Sequence, residues 1–345
     1  MAHFEEILRC AGVDEAVDPQ TMVVPFPGGT NVVALDGDPF RQLHVVPEPH
    51  APIDVTELDR SSTTIETLRR KRREIYDQLA RPDADPQEAY AKRPDMTFFG
   101  EKRYFEIRGL SLVGMPGARV KVLRDRPGGR KEEWALLQVV VVDRKTVKLA
   151  IRHVQVRDAA GNFVLHSKKP CDPDVECAYM NGVWTPQTNI AFDLVSSSPA
   201  QIDDRQPSVK EQLAQAAQIQ DPAKAQFPDV VNPKKLRDLF IGLKDGKADL
   251  TLFMVKAVGD LKNTVDGRTI PEDGFSLISD SRGHTTMAHE AGHFLAGPDG
   301  FDGKAHTSET GSPEMLMRNG GAGWKIPLQI TMKNLRSFFD RKKGG

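Results

Sequence analysis

Cysteine is scarce in this chain, with three among 345 residues, so no disulfide framework holds it together. Only Cys171 and Cys177 are close in sequence, in Cys-Asp-Pro-Asp-Val-Glu-Cys, and they read as two free thiols rather than a small loop disulfide. An excess of one charge is missing as well: 47 basic and 48 acidic residues leave a net charge of −1. There is therefore no broad basic field to attract nucleic acid or an anionic membrane, and neither is expected as a partner. Long apolar runs are also absent. Glu5 and Glu6 stand where a secretory leader would be basic, and no stretch approaches the ~20 apolar residues of a membrane span. The expectation is a soluble protein, cytoplasmic or exported by a dedicated secretion system; the sequence leaves its oligomeric state open, and a monomer is compatible with it.

What is present divides in two, and 345 residues are enough for two cores. Residues 1–20 read as a short helix or a tail, with Phe4, Ile7 and Leu8 at helical spacing. From Thr21 to about 145 the texture is short β-rich runs separated by Gly, Pro and Asp, among them Asn31 to Leu35, Tyr104 to Arg108, Ala118 to Leu123 and Trp134 to Val142. Such spacing predicts an all-β sandwich, interrupted over residues 65–91 by a helical insertion. A boundary falls near Asp143 to Lys145, where Thr146 to Val156 begins a new alternating strand. Residues 146–345 then alternate helical and strand patterns: a helix from Glu176, helices after Val209 and Pro233, strong strands near Ile190 and Leu250, an edge strand between Thr264 and Ile270, and a last helix over about 327–339.

The chemistry is concentrated in Thr285-Thr286-Met287-Ala288-His289-Glu290-Ala291-Gly292-His293-Phe294-Leu295-Ala296, which contains H-E-x-x-H. Two histidines four residues apart on a helix leave the same face one turn apart and can grip one Zn²⁺, while Glu290 projects beside them as a general base. Chance delivers this pattern in roughly one or two chains per hundred of this composition, so its surroundings decide. They favour the metal: Gly274 to Asp280 reads as a strand, Thr285 or Thr286 can cap a helix, and Met287, Ala288, Ala291, Phe294 and Leu295 form one apolar stripe. Burying two imidazoles and a carboxylate together requires a partner such as a cation.

Catalytic zinc has three protein ligands and an open position, so a third ligand is needed. Asp299 lies ten residues after His289, but the glycine expected at position 296 is Ala, and Gly297 is displaced by one. Glu314 lies 25 residues after His289, although Gly311, Pro313 and the run Gly320-Gly321-Ala322-Gly323 leave little room for a helix to present it. His306 closes Gly303-Lys304-Ala305-His306, a G-x-x-H turn carried downstream by an insertion rich in Gly, Pro and Asp, and we assign it.

With Ser312-Pro313-Glu314-Met315-Leu316-Met317 following, the region from about 146 onward resembles a metzincin, the zinc peptidase clan with a methionine turn beneath the metal. The likeness rests on the order of strand, helix and edge strand, on His289, Glu290, His293 and His306, and on Met317, with Met315 as the alternative. It departs from the family in the longer spacing from His293 to His306, and no tyrosine follows Tyr179. The strands from Phe105 to Val141 resemble the last strands of bacterial immunoglobulin-like domains. Together the resemblances imply an α+β metzincin-like catalytic domain with a mixed sheet, an active-site helix and a C-terminal helix, preceded by an immunoglobulin-like sandwich. The activity they imply is zinc-dependent endopeptidase action on protein or peptide substrates, with Zn²⁺ on His289, His293 and His306 and Glu290 as the base. The competing expectations are a non-catalytic metal-stabilised binding module, and a peptidase kept latent by its N-terminal region.

Overall fold

The structure, a computed structural model, describes residues 3–6, 20–24, 27–36, 43–59, 103–157, 160, 163–203, 207–216, 231–259, 264–283, 285–298, 300 and 316–317. The helical insertion expected over 65–91, the last helix, His306, Asp299, Glu314 and Met315 lie outside the described residues.

Eight strands come first: β1 (His3–Glu6), β2 (Gln20–Val24), β3 (Thr30–Asp36), β4 (Leu43–Pro47), β5 (Ile53–Leu58), β6 (Arg103–Gly109), β7 (Val113–Asp125) and β8 (Lys131–Val141). They form two four-stranded sheets, β1-β3-β6-β5 and β2-β8-β7-β4. All neighbours are antiparallel except β2 and β8, which pair in parallel. Taking β1 and β2 as two halves of a first strand A, the orders are A-B-E-D in one sheet and A-G-F-C in the other. Alternation builds the core between the sheets: Val33, Ile53, Phe105 and Ile107 from one face meet Val120, Val122, Leu137, Val139 and Val141 from the other. At the N-terminus, where a short helix or a tail was expected, His3–Glu6 is a strand. So short a helix is marginal in water, whereas pairing with β3 gives these residues ladder hydrogen bonds. Strand β5 was not expected from the sequence, because Asp54 and Glu57 dilute its β-forming residues.

Three residues after β8, the long strand β9 (Lys145–Arg157) opens a mixed sheet with β10 (Phe163–His166), β11 (Ile190–Ser196), β12 (Ala200–Asp203), β13 (Leu250–Met254), β16 (Gly267–Ile270) and β17 (Phe275–Ile278); β14 (Val258–Gly259) and β15 (Thr264–Val265) pair separately. Strands β11, β12 and β13 run parallel to β9, β17 runs parallel to β13, and β16 closes one edge antiparallel to β17. Among the described residues four helices accompany the sheet: α1 (Pro173–Thr188), α2 (Pro207–Ala216), α3 (Arg237–Leu243) and α4 (Thr286–Ala296). Side-chain alternation assigns the layers. Val147, Leu149, Ile151, Leu252, Met254 and Ile278 face α1 and α4, while Val154, Val156, Phe253, Phe275 and Leu277 face α2 and α3. The architecture is therefore mixed α+β, dominated by sheets. Among the described residues no helix is long and apolar enough to cross a membrane.

Helix α1 starts at Pro173, three residues earlier than the Glu176 start read from the sequence. Asp172 caps it by accepting from Asp174 N (3.0 Å) and Val175 N (3.3 Å), and proline suits the first helical turn. It ends at Asn189, which adopts the left-handed conformation (φ 53°) and returns its N–H to Thr185 O at 2.8 Å. The Asn189 amide then donates to Val142 O at 2.7 Å, and Lys145 N donates to Asn189 O at 3.1 Å, tying the end of α1 to the short link between β8 and β9. Cys171 and Cys177 are both free, and burial pushes their thiols up to about 12 and about 11, so neither is a reactive nucleophile at neutral pH.

Candidate metal centre

Helix α4 is buried along nearly its whole length, and its two half-exposed residues are His289 and His293. The expected stripe of Met287, Ala288, Ala291, Phe294 and Leu295 packs into the core against the sheet and α1. Thr285 occupies the cap position without a side-chain hydrogen bond; the Thr286 hydroxyl instead accepts from Gly283 N at 3.0 Å. The approach loop is stapled to the segment before α1. Asp280 accepts from Ser167 Oγ (2.5 Å) and Lys168 N (2.8 Å), and the buried Arg282 donates to Pro170 O at 2.9 Å. At the other end the helix runs through Ala296 and turns at Gly297, whose φ of 78° only glycine adopts without strain, and whose N–H reaches His293 O at 3.0 Å. The turn is thus one residue later than the glycine expected at position 296 from the sequence.

The Nε2 atoms of His289 and His293 face each other at 3.1 Å. His289 Nδ1 lies 2.5 Å from the carbonyl of Leu316, and because a carbonyl can only accept, Nδ1 carries the proton and Nε2 keeps its lone pair. A fit to zinc follows from these distances. Two nitrogens 3.1 Å apart, each 2.0–2.1 Å from one ion, would subtend roughly 100° there, near the tetrahedral value. One ligand atom from each of His289, Glu290 and His293 lies within 4.8 Å of the others. The donor set of this His-Glu-His cluster can hold a metal ion.

Glu290 is 5% exposed, and burial pushes its carboxyl up to about 7, against the opposing effects of a hydrogen bond from Thr269 and the charge of Arg268. The Thr269 hydroxyl, on edge strand β16, donates to Glu290 Oε2 at 2.5 Å. Gly267, two residues earlier on the same strand, supplies the space: a Cβ there would lie 2.7 Å from Glu290 Cγ and Oε1. Sequence reasoning missed Thr269 and Gly267. Their only local signal is a polar residue and a glycine on the buried side of an edge strand.

Leu316 and Met317 are fully buried and close the floor beneath α4. A Cβ at Gly292 would overlap Met317 Sδ and lie 2.8 Å from its Cε and 3.1 Å from Trp184 Cζ2. Trp184 also donates Nε1–H to Ala288 O at 3.0 Å, locking α1 to α4. Glycine inside a helix costs about 1 kcal/mol relative to alanine, and here the close approach of Met317 and Trp184 explains its presence. Gly292→Val is expected to destabilise the metal-free protein by about 2–3 kcal/mol through overpacking, read as a lowered thermal midpoint. An unchanged midpoint would show that the floor can move aside.

Of the residues assigned from sequence, the structure brings together His289, Glu290, His293 and Met317; His306 falls outside the described residues. No family model and no curated protein matches the chain. Among solved structures, a chain described as "Tandem Ig repeats of Dlar" is similar at 11% identity, with a TM-score of 0.18. The match covers 48% of this chain and 62% of that one, a likeness too slight to bear on the fold.

Proposed function

We propose that the chain is a zinc-dependent endopeptidase of metzincin type carrying an immunoglobulin-like module. The observation that carries this reading is the pair of half-exposed imidazoles on α4, Nε2 to Nε2 at 3.1 Å, with the buried Glu290 carboxylate beside them. His289, His293 and His306 would hold the ion. When bound, zinc supplies Lewis acidity, making water a nucleophile near neutral pH and polarising the scissile carbonyl. Glu290 accepts the proton of the attacking water on its carboxylate and returns it to the leaving amine, a role for which a carboxyl near neutrality is suited. The edge strand β16 offers backbone groups to an extended peptide laid alongside it.

A structural zinc site would be closed by four protein ligands and would not need this carboxylate, which weighs against the non-catalytic alternative. Residues 3–6 are engaged in the sandwich, which weighs against that segment plugging the cleft. Strand order and inter-sheet core support reading residues 21–145 as the immunoglobulin-like part, which would orient substrate. Incubating the full chain with a denatured protein and following fragments on a gel tests the reading. Fragments are expected to appear with zinc, to stop with a chelator and to resume when zinc is restored. Identical patterns in all three lanes would reject it.

A further inference from the structure

The buried hydroxyls beside the candidate base form a small network of their own. Thr269 on β16 and Ser276 on β17 are direct cross-strand partners, with Oγ to Oγ at 2.8 Å. Ser276 is fully buried and Thr269 is 9% exposed. Ser276 interrupts the otherwise apolar run Phe275-Ser276-Leu277-Ile278, and a lone hydroxyl in such a place costs stability unless it finds a partner.

Thr269 Oγ1 is within reach of three groups: Ser276 Oγ, Glu290 O at 3.0 Å and Glu290 Oε2 at 2.5 Å. A hydroxyl has one proton and two lone pairs. A carboxylate accepts more strongly than a backbone carbonyl already engaged in a helix, so the Thr269 proton goes to Oε2. Ser276 then donates its proton to a lone pair of Thr269. The chain Ser276 to Thr269 to Glu290 thus runs in one direction, across two strands and onto the helix, and each donor polarises the next. Gly267 completes the arrangement by leaving open the space that Oε1 occupies.

We propose that Thr269, oriented by Ser276, is a positioning residue that tethers Glu290 through Oε2 and so presents Oε1 for proton transfer. The inference rests on the peptidase reading for its catalytic consequence, but the tether itself is a property of the folded chain. Its two alternatives are distinct. Were the pair only packing, replacing the Thr269 hydroxyl with a methyl of equal size would leave Glu290 as it is. As a tether, the same change frees the carboxylate to rotate.

The test uses the full chain and two readouts. Infrared difference spectra, taken in alkaline buffer as each protein minus its Glu290→Gln counterpart, isolate the Glu290 carboxylate band. Thr269→Val is expected to move that band, Thr269→Ser to keep it in place, and Ser276→Ala to move it less. In the zinc-loaded protein, Thr269→Val should lower kcat about 10- to 100-fold with little change in KM or zinc content, as loss of a partner behind a site residue typically does, and Thr269→Ser should restore it. An unmoved band in Thr269→Val, or a kcat equal to wild type, would overturn the proposal. Failure of Thr269→Ser to restore either readout would do the same. A wild type that cleaves no peptide would instead sink the peptidase reading, and the infrared arm would still decide the tether.

Discussion

Zinc-loaded Glu290→Ala is expected to hold as much metal as the wild type and to lose hydrolysis, with kcat/KM down by about 10²–10⁴-fold, the range that general acid–base catalysis supplies. The reason is where the carboxylate stands. Its Oε2 is taken by Thr269, the imidazoles present their Nε2 atoms to each other, and His289 is fixed by Leu316 from behind. On the proposed reading Glu290 would serve the proton rather than the ion, and its removal would leave the imidazole pair in place. Zinc analysis beside steady-state kinetics separates the roles. Loss of zinc together with activity would make Glu290 a ligand, and full activity would remove it from the chemistry.

The second large effect is expected at the third ligand. His306→Ala should lose zinc affinity by orders of magnitude, whereas Asp299→Ala should keep the metal. Asp299 has the better count from His289, but it sits in Gly297-Pro298-Asp299-Gly300-Phe301-Asp302-Gly303, a run whose residues favour a surface turn. Gly297 does leave the helix with positive φ, and Gly300 N bonds back to Gly297 O at 3.0 Å. Lengthening a loop adds only about 0.6 kcal/mol per doubling, so a downstream G-x-x-H can still return to the metal. Three neutral imidazoles would also leave the site at charge +2, favouring a more acidic water than a carboxylate ligand would. A zinc titration of the two variants that gave the reverse order would assign Asp299 instead.

Local pattern carried the parts of this molecule that depend on period. The stripe on α4, the alternation of β9 and the edge strand at Gly267–Ile270 are each written within a dozen residues, and a backbone of fixed repeat converts them directly into faces. The same logic places the two histidines on one face. What depends on a distant partner was not legible. His3–Glu6 is a strand because β3 offers it an edge, which nothing in the first twenty residues announces. The start of α1 was missed because Asp172-Pro173 was not taken as cap and first turn, a local signal overlooked rather than absent. The tether from Thr269 to Glu290 spans 21 residues and three elements, and the carbonyl that sets the His289 tautomer is a backbone atom of Leu316, with no side-chain signature at all. Such contacts are set by how elements pack, and side-chain identity alone does not encode them.

The account as a whole turns on whether the imidazole pair holds a hydrolytic zinc. Zinc titration of the metal-free full chain, with peptide hydrolysis followed in the same samples and His293→Ala run alongside, measures this most directly. Hydrolysis is expected to rise in proportion to bound zinc, to level off at one equivalent, and to be lost together with tight zinc binding in His293→Ala. Hydrolysis that persists without zinc, or zinc bound equally tightly by His293→Ala, would contradict it.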